Sequence, residues 1–190
     1  MAALPEDFTE TDLEALPLLN AVIEEALRLY GAAPGSLPRV VPRGGAALGG
    51  YFIPEGTTVC TQAFTLHRDS NLFPNPEKYA LSDNSNWCLQ HRVRTCPLLT
   101  RRHSFDPARW LKGVKLSGAA KNAYSPFGAG ARICIGIHLA RMELRLATTL
   151  FFRHCKGAQL ARSTTPESME FENFFLIAPK SHRCEIVLDV

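Results

Sequence analysis

The feature that most constrains this chain is a glycine-rich turn that carries one cysteine directly ahead of a helix. Residues 127–136 read Phe-Gly-Ala-Gly-Ala-Arg-Ile-Cys-Ile-Gly, and a helix is predicted over 137–154. Cys134 therefore precedes a helix N-terminus, where the macrodipole and the free N–H groups favour the thiolate. Because the thiolate is the form of cysteine that binds metal, this turn predicts a metal-ligating sulfur.

The other residues of the turn suit a large, flat ligand. Gly128 and Gly130 permit a positive φ, and Gly136 lets a planar group approach the backbone. Phe127 can shield the sulfur from water, and Arg132 offers a donor fork to a carboxylate. Together these residues describe a haem with a thiolate axial ligand and clamped propionates. The alternative is a buried free cysteine in a glycine-rich turn.

A second segment, residues 17–30, has the apolar spacing of an amphipathic helix. Pro17 suits its first turn and Gly31 its end. Glu25 and Arg28 are three residues apart and therefore face the same side of this helix. The alternative interpretation is a solvated ion pair, which stabilises a protein little.

The cysteine turn, Phe127-x-x-Gly130-x-Arg132-x-Cys134-x-Gly136, resembles the haem-binding signature of the cytochrome P-450 monooxygenases. The Glu-x-x-Arg helix at 17–30, about a hundred residues earlier, resembles a second motif of that family. Within that family, the chain resembles fungal members.

Residues 105–110, Phe-Asp-Pro-Ala-Arg-Trp, resemble the family motif whose arginine completes a Glu–Arg–Arg triad. The resemblance assigns Arg109 to a structural triad with Glu25 and Arg28, whereas Asp-Pro alone would indicate a surface turn. The resemblance also makes Arg39 a second propionate-binding arginine, and Arg43 competes for that role.

The resemblance implies a mainly α fold with small β-sheets (α+β), present as a truncated C-terminal haem-binding portion over residues 1–190. It implies a monooxygenase that inserts one oxygen atom from O₂ into a small apolar organic substrate. The cofactor would be haem b (iron protoporphyrin IX), with electrons from NADPH through cytochrome P-450 reductase. The alternative is a catalytically inert fragment, because no upstream oxygen-activating helix is found in the sequence. No proton-delivering catalytic residue is identified beyond the haem ligand.

Full-length relatives in eukaryotes are expected at the endoplasmic reticulum membrane. This chain has no N-terminal run of about 18 apolar residues, so no membrane anchor is predicted. Without an anchor, the expected location of the chain itself is cytoplasmic or unknown. Six cysteines without a paired framework favour a reducing compartment over a secreted one.

Residues 80–104 interrupt the family pattern, and we expect a disordered insert, of the kind that an unspliced intron would encode. The segment carries four arginines and one aspartate. A nucleic-acid-binding arm is an alternative, but the segment is short and has one aromatic residue, so no nucleic-acid partner is predicted. A metal knuckle is the other alternative, although the spacings are unusual for zinc. Its ligands would be Cys88, His91, Cys96 and His103.

The remaining architecture is predicted from local signals. Thr11 and Glu14 match a capping box, so a lead-in helix is predicted to start at Thr11. Short strands are predicted over about 39–61, with 50–60 as a hairpin that turns at 54–56.

Two further predictions concern the C-terminal part of the chain. Residues 171–178 and 183–188 alternate enough to form a terminal hairpin. The helix over 137–154 can line one face with apolar side chains, namely Leu139, Leu146, Ala147 and Leu150.

Overall fold

The computed structural model describes residues 4–74, 105–111, 113 and 115–188. The α-helices of this part are α1 (Glu10–Glu14), α2 (Pro17–Tyr30), α3 (Ala63–Leu66), α4 (Gly118–Ala123) and α5 (Ile137–His154), with 3-10 helices at Pro107–Trp110 and Gly130–Arg132. The strands are β1 (Ser36–Val40), β2 (Ala46–Leu48), β3 (Tyr51–Ile53), β4 (Thr58–Gln62), β5 (Gln159–Leu160), β6 (Phe171–Phe174), β7 (Leu176–Pro179) and β8 (Ile186–Val187).

The helix that carries Glu25 and Arg28 has the predicted bounds. α2 begins at Pro17, whose missing N–H is harmless in the first turn, and ends before Gly31. Its buried side contributes Leu19 and Ile23 to a core cluster with Leu13 of α1. α2 also packs against α5 and against the 3-10 helix Pro107–Trp110, so it lies between the two motifs predicted to form the site.

The lead-in helix begins one residue before the predicted start, and its N-cap lies two residues before Thr11. α1 is capped by Thr9, whose side chain accepts the N–H of Asp12, while the Asp12 carboxylate accepts the N–H of Thr9 at 2.7 Å. Asp12 thus supplies the carboxylate of the capping box, the part that the prediction gave to Glu14.

The strands before residue 62 pair differently from the prediction. β3 pairs with β2, with Ala46 opposite Ile53, and β4 returns to β1, with Arg39 opposite Val59. The predicted hairpin over 50–60 is therefore wrong, because the turn at 54–56 joins two different sheets. The tight turn is Gly49–Gly50, where both residues have positive φ, as a hairpin turn with the strand twist requires.

The predicted terminal hairpin is also wrong. Residues 171–179 form a hairpin of their own, β6 with β7, and β8 pairs with β5 instead. The Asn173 side chain accepts the N–H of Phe175 at 3.0 Å and shapes the tight connection between β6 and β7. This local side-chain bond helps to turn the chain at Phe175, ahead of the connection predicted between residues 178 and 183.

α5 has the predicted bounds but buries a different face. Leu139, Leu146 and Leu150 are 55%, 41% and 39% exposed, and Ala147 is exposed as well. The buried positions are Arg145 and Thr149, and Arg145 forms ion pairs with Glu10 and Glu14 of α1. Within the described ranges, no helix has both the length and the apolar character needed to cross a bilayer.

Candidate functional site

The cysteine lies in a short loop that is closed at its base. Gly136 is the N-cap of α5, and Cys134 lies two residues before it. The N–H of Cys134 donates to the carbonyl oxygen of Phe127 at 2.9 Å, so the two ends of the loop are joined. Gly128 and Gly130 have φ values of +77° and +69°, which L side chains rarely adopt. The glycines therefore allow the tight path that presents the Cys134 thiol to solvent.

Gly136 keeps the space beside the sulfur clear. Its φ of −90° is ordinary, so backbone conformation alone does not require glycine at this position. A Cβ at Gly136 would lie 4.0 Å from Sγ of Cys134. Any side chain here would therefore project beside the sulfur, where a flat ligand has to approach. Ile135 next to it is fully exposed and offers apolar surface on the same loop.

The predicted shield, Phe127, is half-buried against α5. The guanidinium of Arg141, in the second turn of α5, lies 5.5 Å from the centroid of the Phe127 ring. This contact fixes the ring to the helix that follows the cysteine.

The two predicted propionate-binding arginines are both exposed. Arg132 ends the 3-10 helix inside the cysteine loop. Arg39 lies on β1, and its guanidinium donates to the carbonyl of Pro38 at 2.8 Å. β1 borders the loop, because a Cβ at Gly128 would lie 3.6 Å from the Leu37 side chain. Leu37 and Arg39 are alternate residues of β1, so they lie on the same face of the strand. Arg43 is exposed beyond the end of β1.

This donor set fits a thiolate-ligated haem. The chain presents an exposed thiol, a clear space beside it, an apolar neighbour and exposed guanidinium groups on the adjoining elements. Thiolate sulfur is a haem axial ligand, and arginine forks suit carboxylates.

The three residues of the predicted triad lie together. Glu25 is fully buried, and Arg28 donates to both of its carboxylate oxygens, from Nε at 2.8 Å and from Nη2 at 2.7 Å. Nε of Arg109 donates to Oε1 of Glu25 at 3.3 Å. The ion pair between Glu25 and Arg28 is therefore buried, and the alternative of a solvated ion pair is wrong. Since a buried charge needs hydrogen-bonded partners, these three side chains depend on one another.

Glu25 has two further donors that the sequence analysis missed. The backbone N–H of Asp106 donates to Oε1 at 2.9 Å, and Nε1 of Trp110 donates to Oε2 at 2.8 Å. Burial of Glu25 opposes its ionisation, but the hydrogen bond and charge of Arg28, together with these two N–H groups, outweigh it and lower the pKa of Glu25. The signal in the sequence was Trp110 itself, because a buried indole N–H requires an acceptor.

A buried histidine, also missed, links the triad helix to the cysteine segment. Nε2 of His67 accepts the N–H of Ser125 at 3.0 Å, so the proton of the neutral ring lies on Nδ1, which donates to the carbonyl of Arg28 at 3.1 Å. Arg28 in turn donates to the His67 carbonyl at 2.6 Å. Burial, with the charges of Arg28 and Arg68, lowers the pKa of His67 to about 4, so the ring remains neutral near pH 7.

The chain matches the model of the family Cytochrome P450 over residues 2–83 and 101–186. It belongs to the cytochrome P450 family, as the resemblance of its motifs predicted.

Curated relatives of this chain come from fungi. It is 43% identical over 189 residues to the cytochrome P450 monooxygenase stcB of Emericella nidulans, and 46% identical over 189 residues to the cytochrome P450 monooxygenase aflV of Aspergillus parasiticus. Each match covers 99% of this chain and 32% of the relative. The chain thus spans about a third of the length of these relatives.

Solved structures confirm the predicted fold class. The retinoic acid bound cyanobacterial CYP120A1 superposes with a TM-score of 0.69 at 25% identity, over 97% of this chain and 35% of that one. A cytochrome P450DA mutant heme domain matches with a TM-score of 0.65 at 21% identity, over 100% of this chain and 34% of that one.

The predicted insert at 80–104, with Cys88, His91, Cys96 and His103, lies outside the described residues.

Proposed function

We propose that this chain is the haem-ligating part of a monooxygenase, with the thiolate of Cys134 as the axial ligand of the iron. The observation that carries the proposal is the exposed sulfur at the start of α5, beside a glycine whose Cβ would lie 4.0 Å away. Membership of the cytochrome P450 family supports haem as the group that this sulfur binds.

The other loop residues would hold the cofactor in place. Arg132, within the loop, and Arg39, on the adjoining strand β1, would bind the two propionates through their exposed guanidinium groups. Phe127 would exclude water from the sulfur, with its ring held in place by the guanidinium of Arg141. Gly128 and Gly136 would leave the backbone close enough for a flat ring to approach. Glu25, Arg28 and Arg109 would hold the scaffold beneath this loop.

The reaction proposed for the whole protein is insertion of one oxygen atom into a small apolar organic substrate. A bound haem supplies the activation of O₂, for which a thiolate ligand favours O–O cleavage. One oxygen atom enters the C–H bond of the substrate, and the other leaves as water. The balance requires two electrons and two protons: the electrons would come from NADPH through a partner cytochrome P450 reductase, and the protons from the surrounding water.

The experiment is a spectrum of the expressed chain after reconstitution with hemin, reduction and addition of carbon monoxide. A strongly red-shifted Soret band, typical of a thiolate-ligated complex, is the expected result. Histidine-type coordination, or no coordination, would reject the proposal. That result would support the second candidate, an inert fragment, which the exposed apolar side chains of the loop and of α5 favour.

A further inference from the structure

A second, partly buried network is centred on Glu24, the neighbour of Glu25 on α2. The hydroxyl of Tyr124 donates to Oε2 of Glu24 at 2.5 Å and lies 3.1 Å from the Glu24 carbonyl oxygen. Arg141 of α5 forms an ion pair with the same carboxylate, through Nη1 to Oε1 and through Nη2 to Oε2. One carboxylate therefore holds two side chains that are far from it along the chain.

These two side chains flank the cysteine loop. Tyr124 is the C-cap of α4 and lies three residues before Phe127, where the loop begins. Arg141 lies in the second turn of α5, just after the loop ends, and its guanidinium covers the Phe127 ring. The loop base is itself closed by the bond from Cys134 N–H to Phe127. Glu24 thus ties both ends of the loop, and through Arg141 the Phe127 ring, to α2.

In this network Arg141 stays charged and Tyr124 keeps its hydroxyl proton. The Glu24 and Arg141 side chains are 19% and 29% exposed, so water screens their attraction only in part. Burial opposes the charged form of Arg141, but the hydrogen bond and charge of Glu24 outweigh it and raise the Arg141 pKa. Burial, then the charge of Glu24, raises the pKa of Tyr124, so its hydroxyl remains a donor.

The Glu24 network also meets the Glu25 network. The ring of Trp110, which donates to Glu25, lies 4.6 Å from the ring of Tyr124, centroid to centroid. The His67 ring lies 5.2 Å from Tyr124 on the same measure. Movement at Tyr124 is therefore restricted from α2, from the 3-10 helix at 107–110 and from His67.

We propose that Glu24 is a positioning residue for the Cys134 sulfur, acting through Tyr124 and Arg141 on the two ends of the cysteine loop. The inference deepens the proposed function and rests on it for the identity of the ligand that the sulfur binds. The ordering of the loop by Glu24 does not depend on haem, so it is tested in the haem-free chain.

Arg145 provides a matched control on the same helix. It lies one turn beyond Arg141 and forms ion pairs with Glu10 and Glu14 of α1, which do not adjoin the loop. Arg141→Gln removes the ion pair of α5 with Glu24, and Arg145→Gln removes those with Glu10 and Glu14, so only the first variant acts on side chains that flank the cysteine loop.

The first measurement is hydrogen exchange of backbone amides in the haem-free chain. In Glu24→Gln and Arg141→Gln, the Cys134 amide should exchange about tenfold faster, the effect of weakening a hydrogen bond to a charged group. Amides of the β1–β4 ladder should keep their rates, and Arg145→Gln should leave the Cys134 amide unchanged. Equal acceleration of all amides, or none at Cys134, would overturn the inference. If Glu24→Gln fails to fold, Tyr124→Phe, which removes one hydroxyl, decides on the same criterion.

The second measurement is the share of thiolate-type carbon monoxide complex in the hemin-loaded chain. Glu24→Gln should lower this share severalfold, and Arg141→Lys, which keeps the charge, should restore part of it. An unchanged share would overturn the role of Glu24 toward the sulfur. If the unaltered chain itself gives no thiolate-type complex, the proposed function fails, and the exchange rates alone decide whether Glu24 orders the loop.

Discussion

The indole N–H of Trp110 donates to Oε2 of Glu25 at 2.8 Å, on the carboxylate that Arg28 and Arg109 share. The motif that supplies Arg109 therefore supplies a second side chain to the same acceptor. Because the Trp110 ring also packs against Tyr124, this one residue connects the Glu25 network to the segment that leads into the cysteine loop.

Trp110→Phe should destabilise the chain by about 1.5–3 kcal/mol, since it removes a hydrogen bond to a buried charged group while keeping an aromatic ring. Urea unfolding of the two forms measures the difference. Tyr51→Phe, on an exposed hairpin, is the matched aromatic control and should change stability by less than about 0.5 kcal/mol. Equal stability of Trp110→Phe and the unaltered chain would contradict the assigned bond.

Glu25→Gln should have a larger effect, a loss of about 3–5 kcal/mol, because it removes the carboxylate that two buried arginines share. Glu14→Gln removes an ion-pairing carboxylate that is 59% exposed, and its effect should stay within about 0.5 kcal/mol. Thermal unfolding ranks the two variants. Similar losses for both would show that burial of Glu25 does not set the strength of its network.

His67 should make stability depend on pH. Its folded pKa is lowered to about 4 from an ordinary value of 6.5, so between these values the unfolded chain binds a proton that the folded chain does not. The free energy of unfolding should therefore fall as pH drops from 6.5 to 4, by about 3 kcal/mol in all, and this contribution is fully present above pH 6.5.

Urea unfolding at several pH values tests this slope. His67→Gln should be less stable near pH 7 and should lose most of the difference by pH 4, whereas His182→Gln, at an exposed turn, should follow the unaltered chain. Parallel pH curves for His67→Gln and the unaltered chain would exclude His67 as the cause.

Gly136→Ala should weaken hemin binding without unfolding the chain. The φ of −90° is ordinary for alanine, but the new methyl would lie 4.0 Å from the Cys134 sulfur, where it would crowd a bound ring. Overpacking of this kind costs about 1–3 kcal/mol, so we expect a Kd about tenfold higher in a hemin titration. Gly118→Ala, where an added Cβ would meet only open space, should bind hemin like the unaltered chain.

Much of the helical structure could be predicted from the sequence because its signals are local. The apolar spacing, Pro17 and Gly31 define α2, and the bounds of α5 follow from the turn before it and its apolar content. The buried face of α5 could not be predicted in this way. Arg145 and Thr149 occupy it because α1, more than a hundred residues earlier, supplies carboxylates to Arg145.

Strand pairing could not be predicted for a related reason. Both Gly49–Gly50 and residues 54–56 are good turns, and only the return of β4 to β1 decides which of them closes a hairpin. Likewise, no local signal in the sequence predicts the partners of Glu24 and His67. Their partners Arg141 and Ser125 lie 117 and 58 residues away, so only the folded chain identifies them.

The most direct test of the account compares two cysteine variants after reconstitution with hemin, reduction and addition of carbon monoxide. Cys134 lies in the loop before α5 and Cys155 at the far end of the same helix, so the pair differs in position and not in chemistry. The account predicts that Cys134→Ser abolishes the red-shifted Soret band and that Cys155→Ser retains it. Loss of the band in Cys155→Ser with retention in Cys134→Ser, or identical spectra for the two variants, would contradict the assignment of Cys134 as the iron ligand.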